Sequence, residues 1–284
     1  SDPAKLPPML RQYREIKSRH PGVLLLFRLG DFYELFEADA EQASRALELT
    51  LTSRDMGKGI RVPMCGLPHH ALDRYVPRLM RQGLRAAVVE QTEDASQAKG
   101  LVQRDVVRVI TPGTVTEDAL LDQRANNYLV ALADGPRQYA LAVGDVSTGE
   151  FLVTEFTGDH ALRQLVDELE RLSPAEVLWP FDMQSVPTVK QTIGDRVGAA
   201  VTEVEPGETL NQSAAELLCR HFGIADLRGL GLDQRPLAVS AAATLLRYVH
   251  ETQRAAASQL TTLATYTTGD YMTLDAATRQ IGRA

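Results

Sequence analysis

Two side chains of different chemistry stand two residues apart in Gly30-Asp31-Phe32-Tyr33-Glu34-Leu35-Phe36. Residues i and i+2 of an extended chain project to the same side, so Phe32 and Glu34 share a face if this stretch is a strand. The ring offers stacking. The carboxylate offers hydrogen-bond acceptance and, once protonated, donation. An aromatic and a carboxylate on one exposed edge is an odd pairing for a core. Spacing alone nevertheless favours a plainer account, with Phe32 as ordinary packing and Glu34 as a solvated charge at its rim.

A second candidate is Asp145 in Gly144-Asp145-Val146-Ser147-Thr148-Gly149, an aspartate that ends a strand-like run and enters a Ser/Thr/Gly turn. Ribonuclease H-like nucleases hold metal at such a place and sugar kinases hold phosphate. Two-metal chemistry needs several convergent carboxylates. Glu150, Asp167 and Asp233 are available, but no spacing singles out a set, and a hairpin turn in a catalytically empty relative of that fold is the stronger alternative. His69-His70 invites a metal, yet adjacent residues on a helix diverge and no third ligand stands at zinc spacing. Arg54, Lys58 and Arg61 punctuate a polar, Gly-containing loop over 53–61, which is either solvated surface or a track for a phosphate backbone. There is no Gly-x-x-x-x-Gly-Lys-Ser/Thr loop, no Gly-x-Gly-x-x-Gly after a strand and no His-Glu-x-x-His.

The elements that must position these residues are legible from periodicity. A helix is expected over 8–19, with Pro7 and Pro8 at its start and Pro21 beyond its end. Val23–Phe27 reads as a buried strand, 39–49 as a helix, 49–52 as a strand, 62–68 as strand and turn, 70–82 as a helix, and 85–91 and 105–110 as strands. After Thr111-Pro112-Gly113-Thr114 the texture changes. Strands over 128–133, 139–146 and 150–156 with tight turns form a meander. A helix over 159–172, strands at 176–179 and 199–203, and helices over 207–222 and 235–254 follow. Three antiparallel strands and then alternating helices and strands resemble the ribonuclease H-like fold.

The composition, 44% hydrophobic and 24% charged over 284 residues, is that of a folded chain long enough for two cores. It contains no apolar run of 18 residues and no secretory signal pattern, so a cytoplasmic chain with no membrane partner is expected. Cys65 and Cys219 are too few for a disulfide framework or a zinc site. The net charge of −7 is unevenly spread. Residues 1–112 carry 17 Lys/Arg against 14 Asp/Glu, and the remaining 172 residues carry 13 against 23. A basic excess of three at the front suits a local nucleic-acid contact but not a grip made mainly through phosphates.

The stretch around Phe32, with Pro8-Met9 and Gln12-Tyr13 before it, resembles the amino-terminal region of the MutS family of bacterial DNA mismatch repair proteins. Val62-Pro63-Met64-Cys65-Gly66-Leu67-Pro68-His69-His70-Ala71, Val107-Arg108-Val109-Ile110-Thr111-Pro112-Gly113-Thr114 and Asp275-Ala276-Ala277-Thr278-Arg279 extend the resemblance in order along the chain. It implies an α/β chain: a mixed α/β mismatch-recognition domain over 1–112, a linker over 113–126, a ribonuclease H-like connector domain over 127–252, and the truncated beginning of a helical core domain over 253–284. Gln280 to Ala284 departs from the family pattern. Members continue into a clamp and an ATPase domain, so ATP and Mg belong to the full-length protein. The fragment itself is expected to have no cofactor, no metal and no catalytic residue.

The partners implied are mismatched double-stranded DNA, MutL through the connector domain, and a second copy in a full-length homodimer. Phe32 would enter the minor groove and stack on a mispaired base, with Glu34 hydrogen-bonding that base; the phosphate field favours the protonated, donating form of the carboxylate. Arg54, Met64, His70 and Arg108 are further DNA contacts implied by their position near the family's DNA-facing loops. The rivals from other classes are a nuclease or phosphotransferase centred on Asp145 and a pure protein-interaction module. With no phosphate loop in its sequence, the chain is expected neither to bind ATP tightly nor to hydrolyse it. ATP turnover that persists through a second purification would contradict this.

Overall fold

The computed structural model describes residues 6–57, 59–92, 102–115, 126–183, 187–207 and 213–268. Helix α1 (Pro8–Arg19) starts with a proline where a missing N–H is harmless, and it buries Leu10, Tyr13 and Ile16 on one side. There follow β1 (Leu24–Leu29), β2 (Phe32–Phe36), α2 (Glu37–Leu47), β3 (Thr52–Asp55), β4 (Arg61–Pro68), a 3-10 turn at His69–Ala71, α3 (Leu72–Arg81), β5 (Ala86–Gln91) and β6 (Arg104–Ile110). They form one six-stranded sheet in the order β3-β4-β2-β1-β5-β6. β1 and β5 are parallel, and the remaining pairs are antiparallel.

The alternation of side chains divides this sheet into two cores. Leu24, Leu26, Tyr33, Leu35, Cys65 and Leu67 pack with residues of α2 and α3. Leu25, Phe27, Phe36, Val62, Ala87 and Val89 pack with α1. The rings of Tyr13, Phe27 and Phe36 meet edge to face with centroids 5.2–6.3 Å apart. Asp39, buried at the start of α2, fastens α1 down: its carboxylate accepts from Tyr13 (2.7 Å), Lys17 (2.6 Å) and the Leu25 amide (3.0 Å). One expectation is displaced. The alternating residues 49–52 are not the strand; β3 starts at Thr52 and runs into the segment expected as a loop. The reason lies across the sheet, where β4 supplies partners only for Thr52–Asp55, and Leu51 is left exposed.

The second sheet is built from β7 (Leu129–Gly135), β8 (Gln138–Asp145), β9 (Glu150–Thr157), α4 (Ala161–Leu172), β10 (Glu176–Pro180), α5 (Pro187–Thr192), β11 (Ala200–Val204), α6 (Ala214–Phe222), α7 (Pro236–Thr252), α8 (Arg254–Ala257) and β12 (Ala264–Thr265). Its order is β11-β10-β7-β8-β9-β12. The first three strands form an antiparallel meander, and β10 and β11 run parallel to β7. This is the ribonuclease H-like arrangement that the sequence led us to expect. Leu165 and Leu169 of α4 cover one face, and Leu218 of α6 with Leu245 and Leu246 of α7 cover the other. Helix α6 begins at Ala214, behind a capping box formed by Ser213 and Glu216.

Beyond α7 the described chain remains on this sheet. Ala264 and Thr265 pair in parallel with Leu152 and Val153, and the Tyr266 hydroxyl donates to Glu168 at 2.8 Å. Of the helical core expected over 253–284, residues 253–268 are described and stay on this sheet, because Ala256, Ala257, Leu260 and Leu263 pack into its core; the motif Asp275–Arg279 and Gln280 to Ala284 lie outside the described residues. Both cysteines are free, and burial pushes the Cys65 thiol up to about 11. Among the described residues no helix is long and apolar enough to cross a membrane.

The junction between the sheets is packed. Residues 111–115 are all buried. Glu176, fully buried on β10, accepts the Gly113 amide (2.9 Å) and the hydroxyls of Thr202 (2.6 Å) and Tyr248 (2.6 Å). Asn127 closes the segment by donating its side-chain amide to Pro112 at 2.9 Å. A Cβ on Gly113 would meet Leu129 at 2.7 Å and Glu176 at 2.9 Å, so only glycine fits. Glu176→Ala strands three buried donors and is expected to cost about 3 kcal/mol or more. Urea unfolding measures this, and a loss below about 1 kcal/mol would contradict the structural role.

Candidate functional site

The site is built on the hairpin between β1 and β2. Leu29 and Phe32 are register partners, leaving a two-residue turn at Gly30-Asp31, and Gly30 takes a positive φ of 57° that a side chain would resist. The turn is fastened from outside. The His69 amide donates to the Asp31 carbonyl at 2.9 Å, and the His69 ring Nδ1 lies 3.1 Å from the same oxygen. Arg28 donates to the Gly30 carbonyl at 2.6 Å.

Phe32, Glu34 and Phe36 lie on one face of β2, and α1 covers that face unevenly. Phe36 is fully buried against Tyr13, whereas Phe32 is 47% exposed. On β4, Pro68 is opposite Phe32 and Gly66 opposite Glu34. A Cβ at Gly66 would lie 3.5 Å from the Glu34 side chain and 3.2 Å from the Tyr33 carbonyl. Glycine here keeps the ground beside the carboxylate clear.

Glu34 is not a solvated rim charge. Its side chain is only 15% exposed and forms an ion pair with Arg54, which reaches in from β3 and is itself 38% exposed. Arg54 pairs with Val62 on the face that carries Glu34, so the two charges meet across β4. Met64 lies on the same face, opposite Phe36 and Thr52, half-buried against the core beneath α1. His70 is exposed in the 3-10 turn that follows Pro68, its ring 5.7 Å from that of His69.

Arg108 is not brought to this group. It lies opposite Val88, which packs toward α2 and α3, and it belongs to the outer strand farthest from β3. Lys58 lies outside the described residues. Two positioning residues escaped sequence reasoning. His69 acts through the Asp31 carbonyl, whereas the His69-His70 doublet raised only the question of metal. Arg104 is buried over the Phe27 ring at 5.2 Å and donates to the Arg28 carbonyl at 2.8 Å, which no local spacing signals. On the opposite face the Tyr33 hydroxyl, pushed up to about 12 by burial and by its bond to Glu90, ties β2 to β5.

Asp145 is fully buried, and its oxygens are already engaged by the Asn127 amide (3.0 Å), the Ser147 amide (2.9 Å) and the Ser147 hydroxyl (2.5 Å). Asp167 pairs with Arg163 on α4 and Asp233 lies in the loop before α7, on the other side of the sheet. Among the described residues no group of three or more His, Cys, Asp or Glu could hold a metal ion.

Comparison with known proteins adds two family profiles: MutS domain I matches residues 7–119 and MutS domain II matches residues 127–261. The DNA mismatch repair protein MutS of Symbiobacterium thermophilum is 45% identical over 280 residues, covering 98% of this chain and 32% of that protein. Its counterpart in Pelotomaculum thermopropionicum is 46% identical over 276 residues, covering 96% and 31%. The chain thus spans about a third of the length of these relatives. Among solved structures, a family B DNA polymerase from Pyrobaculum calidifontis overlaps at a TM-score of 0.30 and 12% identity, covering 82% of this chain and 46% of that one, too weak a likeness to carry weight.

The difference in burial predicts unequal stability effects for two phenylalanines four residues apart. Phe32→Ala should change unfolding free energy by about 0.5 kcal/mol or less, as for a surface position. Phe36→Ala should lose about 3–5 kcal/mol, as for a core ring. Equal losses by chemical denaturation would mean that Phe32 is core packing.

Proposed function

This chain belongs to the MutS family, of which it carries domains I and II, and on that premise we propose that its first sheet recognises mispaired or unpaired bases in double-stranded DNA. One observation supports this above the others. Phe32 is left exposed on a sheet face that is otherwise packed, with a carboxylate two residues away on the same face.

In the proposed mechanism Phe32 enters the minor groove as an apolar wedge and stacks on one base of the mispair. A matched step resists being unstacked. A mispair has already lost part of its pairing and stacking energy, so the same wedge meets less opposition. Discrimination of a few kcal/mol then arises from deformability, within the range of bending costs, rather than from reading base edges. Glu34 hydrogen-bonds the stacked base, Arg54 and His70 contact the backbone, and Met64 fills the groove-facing surface between them. Arg108, opposite Val88 on the other face of the sheet, is left out of the proposed contact. Rigid elements hold the pair: the hairpin turn, the His69 clamp and the packed β4.

The rest of the proposal concerns the longer protein. Residues 1–112 form the recognition domain, and 113–126 link it to a connector domain that starts at 127 and, with α8 and β12 on its sheet, runs past the expected end at 252; it takes MutL as partner, and a helical core follows. ATP with Mg, an ATPase domain and a homodimer belong to the full-length protein, and this part is not itself an enzyme. Asp145 does not favour the nuclease alternative, because its oxygens are spent on the turn that holds Asn127 and Ser147.

In a full-length protein carrying this chain, Phe32→Ala should bring mismatch binding down to the matched-duplex level. Glu34→Ala should lower discrimination while matched-duplex affinity holds or rises, since a negative charge facing a polyanion is removed. Fluorescence anisotropy on duplexes with and without one G·T pair measures both. Unchanged discrimination in Phe32→Ala would refute the proposal.

A further inference from the structure

The ion pair between Glu34 and Arg54 is placed where the proposed base contact must form. Glu34 reaches the face of β4 from β2, Arg54 reaches it from β3, and the two meet over the strand that carries Gly66. In this state the carboxylate is occupied, its charge is cancelled, and the guanidinium is turned inward from the sheet edge. A carboxylate so held is not free to bond a base, and an arginine so held is not free to bond a phosphate.

The pair is also of a kind that exchanges easily. Both side chains keep contact with solvent, 15% and 38% exposed, and ion pairs near a surface contribute only about 0–1 kcal/mol. A phosphate offers the same guanidinium an equivalent or better partner, because arginine can bind two phosphate oxygens with two parallel N–H bonds. Arg54 therefore loses little by changing partners once a phosphate is brought within its reach. Side-chain rotation suffices, because Arg54 sits on β3, the open edge of the sheet.

We propose that Arg54 gates Glu34: it holds the carboxylate in the free protein and transfers to a DNA phosphate on docking, so that Glu34 is released to the base only once backbone contact is made. The gate rests on the assignment of Glu34 to the mispaired base. It adds an order of events and a second determinant of specificity. On matched DNA the wedge does not enter and the backbone is not drawn within reach of Arg54, so the guanidinium stays largely on Glu34 and the phosphate contact is withheld from the wrong substrate.

A double-mutant cycle in a full-length protein carrying this chain tests the gate, with matched and G·T duplexes titrated at several salt concentrations. Circular dichroism melts of each variant verify folding. Glu34→Ala should raise matched-duplex affinity by roughly fivefold, the release of one weak pair, and steepen the salt dependence by about one phosphate contact. In an Arg54→Gln background the same change should give less than about a twofold gain and no added slope. Arg54→Gln alone should flatten the salt slope on the G·T duplex by about one contact. Equal gains from Glu34→Ala in both backgrounds would overturn the gate, since the effect would then be general charge removal. If Glu34→Ala leaves discrimination intact in both backgrounds, the assignment of Glu34 to the base falls and the gate falls with it.

Discussion

Strand β2 is pinned on both sides, and everything at the site depends on that register. Phe32 is paired with Leu29 and Pro68, Glu34 with Phe27 and Gly66. Because side chains alternate with a period of two, a slip by one residue would drive Phe32 and Glu34 into the core beneath α2 and expose Tyr33 and Leu35. The slip is opposed at each level. Gly30 sets a two-residue turn, His69 grips the Asp31 carbonyl, and Tyr33 is bonded to Glu90 on a strand two places away.

The same face of β2 does two jobs, and the length and anchorage of α1 divide them. At Phe36 the helix supplies a ring from Tyr13, and the site becomes core. At Phe32 the ring is left half exposed to solvent. Asp39 anchors this arrangement with one carboxylate, holding Tyr13 and Lys17 of α1 and the Leu25 amide of β1, so α1 cannot slide along the sheet without breaking its two bonds to Asp39. Glu176 has the corresponding role at the junction, where a buried carboxylate binds the linker peptide to the second sheet.

Much of this was legible in the sequence because it rests on local rules. The apolar run before Gly30, the alternation through Phe36 and the prolines flanking residues 8–19 fixed the strand, its face and the first helix. The meander and the helix–strand alternation after residue 128 gave the second fold. The misses all depend on partners distant in sequence. Glu34 looked like a rim charge because Arg54 is 20 residues away and on another strand. The bounds of β3 were set by β4 rather than by its own alternation, and Arg108 faces away from Phe32 because a bulge between Val88 and Val89 and the pairing with β5 decide its side. The segment after Thr111 had the composition of a turn, but Glu176, 63 residues further on, buries it.

The central claim is that the ring at position 32 meets the mispaired base itself. Photocrosslinking tests it most directly, with p-benzoylphenylalanine at position 32 of a full-length protein carrying this chain and a duplex containing one G·T pair. The account predicts a crosslink confined to one nucleotide of the mispair, absent on the matched duplex. Equal crosslinking along the sugar–phosphate backbone of both duplexes would contradict it.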